Sequence, residues 1–278
     1  MIIKNLKYKE IRRLHYKTQE KKFSAKTEID ITNWLKNPYT YLKSKYYIES
    51  SVLIVFLAQF TQISPNHLTF VYIILGILGG FFLAIENNFF IILSIIFFFT
   101  RGTFDWADGL LARIKNKTSD LGELLDNWGA IIGFYSFWAG LGYYLYNKHN
   151  EEIFIILSIL IIFFKAVDLK NYSYHFAMFN LLREKDKRKY LKKIDFQGNK
   201  IIKKNNKTTY NYFKNYFLNF VDDRSRTIDL ILFIIFLDNF YFDILLLKYI
   251  YYYFAFKVFI IFCVGNYVII SKKYLFKK

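Results

Sequence analysis

Six apolar runs order this chain, at residues 66–86, 88–113, 120–147, 151–170, 227–247 and 249–271. Each approaches or exceeds the roughly 20 residues a helix needs to cross a bilayer. Inside hydrocarbon the backbone must pair its own polar groups, so runs of this length predict helices. The pattern predicts an all-α integral membrane protein with about six transmembrane helices. The second and third runs are long, and each has a polar end at the turn from Arg113 to Lys117. That departure from an apolar span is where chemistry is expected.

The polar stretches between the runs alternate in charge. Connections after the first, third and fifth runs are short and poor in basic residues: Glu86 to Asn88, Asn147 to Glu152, and the region of Asp238 and Asp243. The opposite side carries the N-terminal segment, the turn Arg113 to Lys117, the loop 171–225 and the tail 272–278, all rich in Lys and Arg. Positively charged connections stay inside, so both termini and the long loop are expected to be cytoplasmic.

Two further segments are polar or mixed. Residues 29–63 interleave apolar residues with Lys36, Lys43, Lys45, Trp34 and several tyrosines, a pattern for one or two helices in the plane of the interface. Residues 183–215 are mostly Lys, Asn, Tyr and Asp, suited to a solvated loop or to anionic headgroups. The expected organisation is a basic cytoplasmic segment at 1–63, a six-helix domain at 64–271 containing the loop 171–225, and a basic tail at 272–278.

Composition agrees. Hydrophobic residues make up 54% of the 278, yet 22% are charged, so the charges must lie between the runs. The formal charge of +17 falls in those intervals, which favours an anionic membrane surface over nucleic acid. Cys263 stands alone within an apolar run, which excludes an internal disulfide framework. The basic N-terminus has no apolar core or cleavage site of a signal peptide. Gly76 and Gly80 read as an ordinary helix-packing notch.

The candidate chemistry lies on the second and third runs. Asp105, Asp108 and Ala112 are spaced to share one helical face, as are Gly122, Asp126 and Ala130 on the next helix. Asp105 and Asp108 precede the turn near Lys117 by about as many residues as Asp126 follows it. At ~1.5 Å rise per residue an antiparallel hairpin brings all three carboxylates about 13–18 Å from the turn. Like charges at one depth need a cation, and an all-oxygen donor set selects Mg²⁺ or Mn²⁺ over zinc. Gly109 and Gly122 leave room for a ligand near the backbone, and Arg113 can meet a phosphate. Asp120 and Glu123 are expected only to complement the start of the third helix.

Residues 105–126 resemble the CDP-alcohol phosphotransferase (CDP-alcohol phosphatidyltransferase) family, whose pattern is D-x-x-D-G-x-x-A-R, about eight residues, then G-x-x-x-D-x-x-x-D. The run Ser64 to Thr69 resembles the start of the family's first span. The resemblance implies transfer of a substituted phosphate from a CDP-linked donor to an alcohol, with release of CMP, in phospholipid biosynthesis. It implies that Asp105, Asp108 and Asp126 hold two divalent ions on the diphosphate. It implies that Asp105, Asp108, Gly109, Ala112, Arg113 and Gly122 line the CDP site. It further implies a homodimer acting at the cytoplasmic face among membrane lipids.

One position departs. The family's fourth aspartate, assigned as the general base, falls at Ala130, and alanine accepts no proton. Another group then serves, or the acceptor's own phosphate does, or the chain binds CDP compounds and metal without ordinary turnover. Lys165, Arg224 and Arg226 either snorkel to headgroups or form a pocket for a phosphate on the acceptor. A cation transporter is a remote third reading, because the acids lie toward one face instead of the midplane.

Overall fold

The apolar runs do become helices, and the N-terminus adds one more that hydropathy alone does not show. A computed structural model describes residues 6–27, 38–169, 225–241 and 246–271. These contain no strand and form eight helices: α1 (Tyr8–Thr27), α2 (Pro38–Ala58), α3 (Pro65–Leu83), α4 (Asn88–Ile114), α5 (Asp120–His149), α6 (Ile153–Ala166), α7 (Ser225–Phe240) and α8 (Leu246–Ser271). Helices α3 to α8 fall on the six expected runs, with α7 ending at Phe240 instead of near 247 and the other ends within about four residues. Of the interfacial segment, α2 is present as one helix, and α1 is additional. The basic loop through residue 224 and the tail 272–278 lie outside the described residues.

Among the described residues three stretches are long and apolar enough to cross a membrane: Pro65–Leu83, Asn88–Ile114 and Leu246–Tyr267. Helix α6 is apolar but only 14 residues long. The first turns of α5 carry Asp120, Glu123 and Asp126, which dilute its apolar character. The chain divides into two compact units, residues 1–140 and 141–278.

In the first unit, α4 packs against both α3 and α2. Ile48, Val52, Val55 and Ala58 form one face of α2, and they meet Ala107, Leu110 and Leu111 of α4 in a cluster that also takes in Ile11 and Leu68. Full burial of such a side chain is worth about 1.5–3 kcal/mol, so this cluster fixes the polar half of α4 against α2. On α3, Gly80 lies so close to Ser136 of α5 that a Cβ there would overlap the serine. Ser136 Oγ donates to the Ile77 carbonyl at 3.0 Å. The Gly76/Gly80 notch therefore packs α3 on α5 within the chain.

Caps set the helix ends around the polar region. Ser64 Oγ accepts from the His67 N–H at 3.4 Å, and His67 Nδ1 accepts from the Ser64 N–H at 3.3 Å, with Pro65 in the first turn. At the end of α4, Asn116 adopts φ 51°, the Lys117 N–H donates to Ala112 O at 2.8 Å, and the Asn116 N–H donates to Arg113 O at 3.4 Å. This is a Schellman turn, and asparagine is among the few residues that tolerate the left-handed conformation it requires. Lys115 Nζ donates to the carbonyls of Ala58, Thr61 and Ile63 at 3.0, 2.9 and 2.8 Å, tying the α4–α5 turn to the end of α2.

Helix α1 is held on α2 by Ile11, which is buried in the same core cluster, and by polar contacts. Arg12 Nη2 and Nε donate to Glu49 Oε1 at 2.6 and 2.8 Å, and Tyr16 donates to the same oxygen at 2.8 Å. The hydrogen bond from Arg12 holds the Glu49 carboxyl below its usual range, while burial pushes the Tyr16 hydroxyl up to about 12. His15 Nε2 bonds the Ser51 hydroxyl at 3.0 Å.

In the second unit α8 packs against α6 and α7. The Tyr251 hydroxyl hydrogen-bonds Ser158 and also donates to Phe154 O at 3.3 Å. Lys148 pairs with buried Asp238 at 2.6 Å, and Tyr144 donates to the same carboxylate at 2.9 Å. Lys248 pairs with Glu151. These contacts join the end of α5, the start of α6, the end of α7 and the start of α8, which are the ends the charge pattern puts on one side.

Candidate functional site

The polar ends of α3, α4 and α5 and the turn between α4 and α5 enclose a cavity of about 320 Å³. Asp105, Asp108, Gly109, Ala112 and Arg113 reach it from α4, and Gly122 and Asp126 from α5. These seven residues named from the sequence line one cavity, whereas Ala130, which shares the spacing of Gly122 and Asp126, does not. Asp108 is buried at 8% exposure, and its Oδ2 accepts from the Thr69 hydroxyl at 2.6 Å. Thr69 is itself buried, and its hydroxyl also lies 3.3 Å from the Pro65 carbonyl.

The glycines behave as expected of a ligand wall. A Cβ on Gly109 would meet only the Arg113 guanidinium, at 3.5 Å. A Cβ on Gly122 would press on Ser119 Oγ at 3.3 Å and Asn66 Oδ1 at 3.5 Å. Ser119 caps α5 by accepting from the Gly122 N–H at 3.1 Å. Pro65 and Asn66 at the start of α3, and Ser119 and Gly122 at the start of α5, line the same space. Two helix N-termini therefore open onto it, which favours an anion, with Arg113 and Lys117 adding full positive charge.

The three carboxylates share the cavity, and among the described residues no group of three His, Cys, Asp or Glu is already arranged to hold a metal ion. Asp108 instead turns an oxygen to Thr69. The donor chemistry still suits a hard cation, since carboxylates and hydroxyls line the wall and no His or Cys does.

Several lining residues were not read from the sequence. Glu123 reaches the cavity beyond its place at the start of α5, and Lys117, Thr118 and Ser119 enter from the turn. Trp106 and Gln19 also line it, the latter from α1, whose polar pattern carries no sign of a site. Ala130 is exposed and does not line the cavity. Lys165 is half-buried on α6 in the second unit. Arg224 and the side chain of Arg226 lie outside the described residues.

No curated protein sequence matches the chain significantly. The CDP-alcohol phosphatidyltransferase family model matches residues 62–197, a span that starts just before the α3 cap and contains every α3, α4 and α5 residue of the cavity. Over that span the chain is similar to the CDP-alcohol phosphatidyltransferase family, a phosphotransferase family that uses CDP-alcohols.

Proposed function

We propose that the protein transfers a substituted phosphate from a CDP-linked donor, of the CDP-diacylglycerol type, to an alcohol, and releases CMP. The observation that carries this reading is the convergence of Asp105, Asp108, Gly109, Ala112, Arg113, Gly122 and Asp126 on one cavity. In the reaction, the acceptor hydroxyl oxygen bonds to the phosphorus that bears the donor's alcohol. The bond from that phosphorus to CMP breaks, CMP departs with the electron pair, and the hydroxyl proton is lost. Arg113 and the N-termini of α3 and α5 bind and orient the diphosphate. Gly109 and Gly122 admit it close to the backbone, and Thr69 fixes the Asp108 carboxylate. Asp105, Asp108 and Asp126 would hold Mg²⁺ or Mn²⁺, which would neutralise diphosphate charge. Because Ala130 offers no base, transfer is slow with ordinary acceptors. That same residue favours a second reading, a relative that binds CDP compounds and metal without turnover.

The test is CMP release by purified protein from CDP-diacylglycerol, with and without Mg²⁺, across glycerol phosphate, inositol, inositol phosphate, serine, choline and ethanolamine. Mg²⁺-dependent release with one acceptor is expected. If Lys165, Arg224 and Arg226 form an acceptor pocket, that acceptor carries a phosphate, and activity confined to uncharged alcohols removes them from the site. CDP binding without release from any pair leaves the binding relative.

The orientation belongs to the same proposal: about six spans, both termini and the loop 171–225 in the cytoplasm, and the cavity at that face. Support comes from the charge pattern and from Lys115, which joins two stretches assigned to the basic side. A cysteine introduced at Asn199 should resist a membrane-impermeant thiol reagent in intact cells and react after permeabilisation. Strong labelling of intact cells would reverse the orientation.

A further inference from the structure

We propose that α1, which lies outside the family-matched residues, completes the nucleotide site by presenting the Gln19 carboxamide to the base. This rests on the cavity being the CDP site. Ile11, His15 and Gln19 stand four residues apart on the buried face of α1, with exposures of 0%, 0% and 5%. The face is apolar at Ile11, which belongs to the core cluster. It turns polar toward the cavity. His15 bonds the Ser51 hydroxyl through Nε2 and sets its ring edge-on to Trp106, with centroids 5.8 Å apart. One turn later, Gln19 lines the cavity together with Trp106, Gly109 and Arg113.

A helix residue buried for packing is ordinarily apolar, because a buried amide without a partner carries a desolvation cost. The Gln19 side chain has no hydrogen bond to another described side chain or carbonyl, and its amide is not among the fully buried atoms left without a partner, so it keeps access to the cavity it lines. Its side chain therefore suits a ligand that presents an acceptor beside a donor. Cytosine does so along the edge formed by N3 and the N4 amino group, where a carboxamide donates to one and accepts from the other. A phosphate or a metal ion would select a cation or a carboxylate instead, and those are supplied by Arg113 and the aspartates. The link from Arg12 and Tyr16 to Glu49 clamps α1 on α2, so Gln19 is held at the cavity before any ligand arrives.

The experiment uses the full chain with Mg²⁺ and compares binding of CDP with binding of pyrophosphate, which shares the diphosphate and lacks the base. Gln19→Leu keeps the volume and removes both hydrogen-bonding groups. It should weaken CDP about 5- to 100-fold, the range for losing a two-bond contact to a base edge, and leave pyrophosphate unchanged. Its melting temperature should hold, since a side chain of similar size is kept and no protein partner of the amide is lost. Gln19→Glu, which keeps only acceptors, should fall between parent and leucine variant. Equal weakening of both ligands in Gln19→Leu would mean that Gln19 shapes the cavity and does not read the base. Parent-like CDP affinity would overturn the idea with the nucleotide site intact. If the parent itself binds neither ligand, the nucleotide reading fails first and this inference with it.

Discussion

Asp108→Asn is expected to lower Mg²⁺-dependent CDP binding and CMP formation by at least about 10²-fold. Each 1.36 kcal/mol is a factor of ten, and a carboxylate that positions a divalent ion on a diphosphate accounts for several kcal/mol. The substitution is chosen because Asp108 is buried and bonded to Thr69 at 2.6 Å. Asparagine keeps that size and can accept the same hydroxyl hydrogen, so folding is preserved and charge alone is removed. Asp105→Asn and Asp126→Asn should act in the same direction. Calorimetric titration of CDP at several Mg²⁺ concentrations measures the effect, with thermal melting as the control for folding. Parent-like binding in all three variants would show that the carboxylates are structural, and the proposed activity would lose its chemical basis.

The second large effect is a gain. Ala130→Asp should raise the rate of CMP formation tenfold or more at saturating Mg²⁺, because a positioned base contributes about 10²–10⁴-fold. Position 130 lies outside the cavity lining but follows Asp126 by one turn of α5 on the same helical face, so the longer aspartate side chain would bring a carboxylate beside Asp126. It is exposed, so a longer side chain meets no packed wall. The neighbouring Gly129 is different: a Cβ there would strike Tyr72 and Ile73 at 2.7 Å. Arg101 also stands close by. Its guanidinium donates to Gly129 O at 3.4 Å and lies 4.4 Å from the centre of the Tyr72 ring. Saturating Mg²⁺ is required because a fourth carboxylate can also tighten metal binding. A parent that is already fast, with a slower variant, would assign the base elsewhere and end the reading of Ala130 as a deficiency. Binding without turnover in both proteins would favour the non-catalytic relative.

The two substitutions probe the cavity wall and a position beside it, and they differ in how far local pattern could foresee them. Spacing along α4 and α5 was enough to group Asp105, Asp108 and Asp126 with Gly109, Ala112, Arg113 and Gly122. A helix repeats its faces every three to four residues, and a short turn folds two helices antiparallel. The cap at Ser64 and Pro65 and the packing notch at Gly76 and Gly80 were legible for the same reason, since each depends on residues within a few positions. Apolar run length likewise located α3 to α8, because a helix pairs the backbone groups of an apolar run within the run itself.

What the tertiary structure decided is which distant elements meet. Thr69 is 39 residues from Asp108, and no local periodicity pairs them. The carboxylates share a wall without forming a ready metal cluster, because side-chain orientation is set by such partners and not by spacing. Helix α1 shows the limit most clearly. Its sequence is polar and basic, so hydropathy gives it neither a span nor a core face. Its place comes from specific hydrogen bonds, Arg12 and Tyr16 to Glu49 and His15 to Ser51, each bridging more than 30 residues. Directional contacts of that kind leave no period in a sequence. Apolar length and helical spacing are properties of consecutive residues and could be read directly, whereas the arrival of Gln19 at the cavity follows from the fold that brings α1 onto α2.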